Sequence, residues 1–183
     1  MLGMFGFFRM LRRPFRRSTL AGLTLMFGAG AAGAFDTANY QPADLDVLAR
    51  RKPALGLGAD ISPVQNVRLE VTLAAQPAEC PTKYLKWAMR KSGIAKEAVQ
   101  GTPITQCIKV KSAKGRQYTV FIQDALTGSL AREVKPGAKV TLYGSLVYFA
   151  PRGPGIVVND FSTQPTTTPQ PHSGVDLGAA KKK

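Results

Sequence analysis

The sequence predicts a mainly β fold, one small domain of five strands stapled by a disulfide. Three observations carry this expectation. First, apolar and polar residues alternate with period two in separate runs, as half-buried strands require. Val67, Leu69, Val71 and Leu73 alternate with Arg68, Glu70 and Thr72 in the clearest of them. Second, turn sequences punctuate those runs, among them Ser112-Ala113-Lys114-Gly115 and Lys135-Pro136-Gly137. Third, the 183 residues hold two cysteines, Cys80 and Cys107. That length suits one domain with appendages.

Residues 1–34 read as a signal peptide. Arg9, Arg12, Arg13, Arg16 and Arg17 make the start basic, and no acid accompanies them. A short apolar stretch from Ser18 to Gly33 follows, then Ala32-Gly33-Ala34, the small-x-small pattern that signal peptidase accepts. The apolar run is shorter than the roughly 20 residues that span hydrocarbon. An export route through the general secretory or the twin-arginine system remains open, since Arg12-Arg13-Pro14-Phe15 matches only part of the twin-arginine motif. The expected location is periplasmic or secreted, with no stable membrane span after cleavage.

Residues 35–62 read as an N-terminal arm. Pro42-Ala43-Asp44 can start a short helix through Arg51 with Leu45 and Leu48 on one side, before Pro53, Gly56 and Gly58 break it. The domain proper spans 63–162. After the first strand, residues 80–107 form an insertion. Thr82 is placed to cap a helix to about Lys91, with Leu85, Ala88 and Met89 on one face and Lys83, Lys86, Arg90 and Lys91 on the other. A second helical piece is expected over Ile94–Val99.

An even cysteine count in an exported chain favours a disulfide. With 26 residues between them, Cys80 and Cys107 match neither a CxxC redox pair nor metal-site spacing; unpaired thiols are the alternative.

Ile108 and Val110 against Lys109 and Lys111 mark the second strand, and Tyr118, Val120 and Ile122 the third. A helical turn fits Ser129–Val134. Lys139–Ala150 reads as one long strand with Gly144 at a bulge or bend. Pro151–Gly155 makes a loop, and Ile156–Phe161 the fifth strand. Residues 163–183 read as a disordered basic tail ending in Lys181–Lys183.

Three strands, a helical connection and two more strands, with Leu130 to Gly144 carrying Lys135-Pro136-Gly137, Val140 and Tyr143-Gly144, resemble the OB-fold, a five-stranded Greek-key barrel. The resemblance covers about 100 residues and concerns topology. The helical insertion takes the place of the usual first loop. Ligands of such barrels cross strands two and three between the first and fourth loops. Here the resemblance implies Lys109, Lys111, Arg116, Thr119 and Phe121 on that face, flanked by Lys83, Lys86, Arg90 and Lys91 on one side and Arg152 on the other. Tyr84, Trp87 and Phe149 are the aromatic candidates for docking a partner. The alternative is that the cations are an ordinary solvated surface, that Phe121 packs into the insertion and that Trp87 packs on the barrel.

Catalytic parts are missing from the sequence. His172, the one histidine, falls in the expected tail, which cannot hold an imidazole against a partner. No phosphate loop, haem motif or HExxH motif occurs. Asp124 and Asp160 are expected to end strands or cap turns. The net charge of +14 sits partly in the signal peptide and tail, so the field on the domain is modest. The expectation is a non-catalytic exported accessory or interaction module, with no cofactor and no metal, that engages an envelope protein. The alternative is a binder of an anionic polymer or ligand, namely a polysaccharide, a lipid head group or single-stranded nucleic acid.

Overall fold

Each alternating run becomes a strand, and the apolar residues that define the alternation turn inward. In the computed structural model, which describes residues 37–50, 62–149, 153–163 and 177, a two-residue strand β1 (Gln41–Pro42) and helix α1 (Leu45–Arg50) precede the five expected strands. These are β2 (Gln65–Glu79), β3 (Gln106–Lys111), β4 (Gln117–Ile122), β5 (Lys139–Phe149) and β6 (Gly153–Ser162). Helices α2 (Lys83–Lys91) and α3 (Lys96–Gly101) lie between β2 and β3, and α4 (Asp124–Glu133) lies between β4 and β5. The predicted signal peptide, Arg152, His172 and the side chain of Phe149 fall outside the described residues.

The strands close into a mixed barrel. The order is β2-β3-β4-β6-β5, and β5 returns to β2. All pairings around it are antiparallel except β4–β6, which is parallel. Closure depends on the length of β2: Gln65 to Thr72 pair with β5, and Thr72 to Glu79 pair with β3. The alternation alone marks only the first half of this strand. Its second half contains Pro77, which has no N–H to give, and the ladder shifts register between Ala75 and Ala78 to accommodate it.

Val67, Leu69, Val71, Leu73, Ile108, Val110, Val120, Ile122, Leu142, Val158 and Phe161 fill the interior. Leu126 and Leu130 of α4 and Leu45 and Leu48 of α1 join them. Thus α4 begins at Asp124, one turn or more before the helical turn expected from Ser129. Gly128 within it masked the apolar i, i+4 pair Leu126 and Leu130. Asp44 starts α1, its Oδ1 accepting from the N–H of Asp46 at 2.7 Å. Gly137 adopts φ 91°, as the Lys-Pro-Gly turn requires. Gly144 marks a bulge: Tyr143 opposes Asp160 while Gly144 opposes Val158. A Cβ on Gly144 would stand 2.8 Å from the Val157 carbonyl oxygen, which explains the glycine.

Candidate functional site

Helix α2 is amphipathic. Leu85, Ala88 and Met89 are buried. Leu85 and Met89, with Ile94, Val99 and Ile104, form a second apolar cluster that includes Cys107, Phe121, Val147 and Val157 from the barrel's outer face. Leu177, in the segment expected as tail, is buried in the same cluster. The helix approaches closely where the barrel offers no side chain: a Cβ on Gly155 would lie 3.3 Å from Leu85 Cδ1. Thr82 occupies the N-cap position but makes no side-chain cap bond. Arg90 and Lys91 lie in the last turn, where the helix dipole favours cations.

A disulfide joins Cys80 to Cys107 with Cα atoms 5.8 Å apart. The Cys80 N–H also donates to the Thr105 carbonyl at 3.1 Å. The insertion is therefore a closed loop, fixed at its base to the β2–β3 ladder. Such a bond fits an oxidising compartment. Among the described residues no helix is long and apolar enough to cross a membrane.

The insertion divides the expected ligand face. Cys107 and Phe121 are cross-strand partners, as are Lys109 and Thr119, and Lys111 and Gln117. The first pair lies under α2. Phe121 is 6% exposed, and the Tyr84 ring meets it edge-on at 5.9 Å between centroids. Phe121 is thus a packing residue for the insertion and not an exposed contact on an open face. The second and third pairs stay exposed, about 7 Å and 14 Å further along the strands.

The cations consequently form two groups. On α2, Lys83, Lys86, Trp87, Arg90 and Lys91 follow i, i+3, i+4, i+7, i+8 spacing and share the side away from the barrel. Trp87 is 38% exposed among them, one of two large apolar side chains so exposed in the described residues. No acidic residue occurs in this helix. The other group is Lys109 and Lys111 on β3, beside Thr119.

Arg116 belongs to neither group alone. Its Nε lies 4.0 Å from Oδ1 of Asp46, which also accepts from the Tyr118 hydroxyl at 2.6 Å. That hydroxyl is the main influence holding the Asp46 carboxyl below its ordinary pKa, against the cost of burial. Asp46 Oδ2 and the Ser112 hydroxyl are both buried without a partner at hydrogen-bond length, so Ser112 acts as a nearby dipole, and Arg116 and Lys114 add positive charge. The same contact raises the Tyr118 pKa, since the phenol donates to a carboxylate. This cluster ties α1 to the β3–β4 turn.

Asp124 and Asp160 have structural contacts. Asp124 accepts from the Thr105 N–H at 2.8 Å and from the Thr105 hydroxyl at 2.9 Å. Asp160 accepts from the Phe161 N–H at 2.8 Å. At the bulge, the Asn159 amide donates to the Tyr40 and Ser145 hydroxyls and accepts from Gln123. Tyr40 in turn packs edge-on against Tyr143 at 5.6 Å. The arm is therefore pinned to the barrel by polar groups that no sequence pattern pairs in advance. Lys139 also escapes a sequence reading of the site: it opposes Thr72 from one side as Lys111 does from the other, a juxtaposition that only barrel closure creates.

No protein-family model matches the chain, and neither a curated protein nor a solved structure matches it.

Proposed function

We propose that this chain is an exported, non-catalytic interaction module of the OB-fold superfamily, which docks an envelope protein through the outer face of α2. One observation carries the reading. The disulfide-closed insertion fills part of the face that OB barrels use for ligands and offers in its place an amphipathic helix, packed on the barrel, with Trp87 among Lys83, Lys86, Arg90 and Lys91. An exposed tryptophan with an arginine beside it has the composition of an interface hot spot. The cations suit an acidic rim on the partner and speed encounter more than they add affinity.

The absence of any acid from α2 favours a second reading, an anionic polymer held on the same helix. Salt separates the two. Polymer binding releases counterions and falls steeply with ionic strength, whereas a buried tryptophan anchor persists. The test is retention of envelope proteins and of anionic polymers by the immobilised protein between about 50 and 200 mM salt, a range over which six to ten phosphate contacts lose on the order of a thousandfold or more in affinity. Protein capture that survives the series and is lost in W87A supports docking. Salt-sensitive retention of polymer alone overturns it.

A further inference from the structure

We infer that the barrel carries a separate small-ligand site, a groove over the point where β2 changes partner, suited to a saccharide unit bearing a carboxylate or phosphate. Thr72 is the pivot. It pairs with Lys139 on β5 and with Lys111 on β3, so the two ammonium groups rise from strands on either side of it, with backbones about 10 Å apart. Two residues back on the same face of β2, Glu70 opposes Thr141, and Thr141 opposes Ser162. A cavity of about 450 Å³ lies over these rows, walled by Glu70, Thr72, Lys111, Lys139, Thr141 and Ser162. Thr141 and Ser162 are each 7% exposed, so their hydroxyls belong to the floor, while both lysines and Glu70 stand at the rim.

The chemistry of this wall is selective. Its volume lies within the usual range for ligand sites, and like them it joins apolar wall, here Val71, Val140 and Ala113, to a few convergent polar groups. Among the described residues no aromatic ring lines it, which disfavours stacked bases. A bare anion gains from Lys111 and Lys139 but is opposed by Glu70. A neutral sugar uses the hydroxyls and the Glu70 acceptor but leaves two ammonium groups without a counter-charge. A saccharide with one anionic group satisfies all three: its hydroxyls meet Thr72, Thr141, Ser162 and Glu70, and its anion takes charge-assisted hydrogen bonds from the lysines. The groove lies on β2, β3, β5 and β6, apart from the cluster under α2, and does not depend on the docking reading.

The test follows backbone amides of the intact protein by NMR. The probes are a glucuronate-containing disaccharide, glucose 6-phosphate, a neutral disaccharide and inorganic phosphate. Saturable shifts at Thr72, Lys111, Lys139 and Thr141 with either acidic sugar are expected, and which sugar produces them distinguishes carboxylate from phosphate. The neutral disaccharide and inorganic phosphate should bind at least about tenfold more weakly. K111Q and K139Q should each cost about tenfold, the loss of one charge-assisted bond, and W87A should cost nothing. Both lysines are exposed, so unchanged spectra elsewhere verify folding. Absence of saturable shifts with both acidic sugars, equal binding of all four probes, or indifference to both lysine substitutions overturns the inference.

Discussion

Replacing Cys80 and Cys107 together by alanine should cost the protein about 3.5 kcal/mol through chain entropy alone. The figure follows from the sequence separation of 27, since closing a loop of that length restricts the unfolded ensemble by roughly 12 cal/mol/K. Cys107 is also buried, 7% exposed in the cluster beneath α2. Loss of its sulfur leaves a small gap worth about 1 kcal/mol more. Alanine is the right replacement there, because serine would bury an unpaired hydroxyl. A domain of ordinary stability has 5–15 kcal/mol in all, so the variant should fold but marginally. Equilibrium urea unfolding, followed by far-ultraviolet circular dichroism and by Trp87 emission, measures the change. Trp87 is the one tryptophan of the chain and sits on α2, so its emission reports on the insertion. The free energies extrapolated to water are to be compared, because removing the crosslink also alters the slope. A loss under about 1 kcal/mol would refute the reasoning. It would mean that the helices hold their place on the barrel without the covalent closure.

Three further outcomes follow. Phe121→Ala should destabilise by about 3–5 kcal/mol, as for a buried ring, with the loss read by the same urea titration. A cost within about 0.5 kcal/mol, typical of surface positions, would contradict its burial under Tyr84. Gly144→Ala should cost about 1–3 kcal/mol as an overpacking change, since the added methyl meets the Val157 carbonyl; a neutral result in thermal denaturation would contradict the bulge geometry. Asp46 has a carboxyl held below its ordinary pKa chiefly by the Tyr118 hydroxyl. Its contribution is present above the unfolded pKa of about 3.9 and is lost as pH falls through the lower folded value. Asp46→Asn should therefore lower stability at pH 7 and flatten its decline below about pH 4. Parallel acid limbs for the two proteins would argue against this role.

Strands and turns were legible in the sequence because they depend on local signals. The alternation from Val67 to Leu73, the Lys-Pro-Gly turn and Gly144 all follow from backbone geometry and the need to bury one face. The amphipathic spacing in α2 was legible for the same reason. Three features were not. The second half of β2 carries Pro77 and a register shift, so period two fails where the strand continues. Phe121 alternates outward on β4, which leaves both readings of it open, a contact on the ligand face or packing into the insertion, and only the placement of the insertion decides that outward means covered. Lys139 meets Lys111 across Thr72 only once the barrel has closed. The disulfide was legible as a pairing because the chain offers one choice, whereas the face it would close was not.

The docking claim is tested most directly by a photo-crosslinking residue placed at position 87 in the full-length protein in its native host. The same residue at Ala131, exposed on α4, serves as the control. The account predicts one discrete protein adduct from position 87, retained at 200 mM salt, absent from position 131 and lost when Lys83 and Arg90 are reversed to glutamate. Equal, diffuse labelling from both positions, or adducts from position 131 alone, would contradict it.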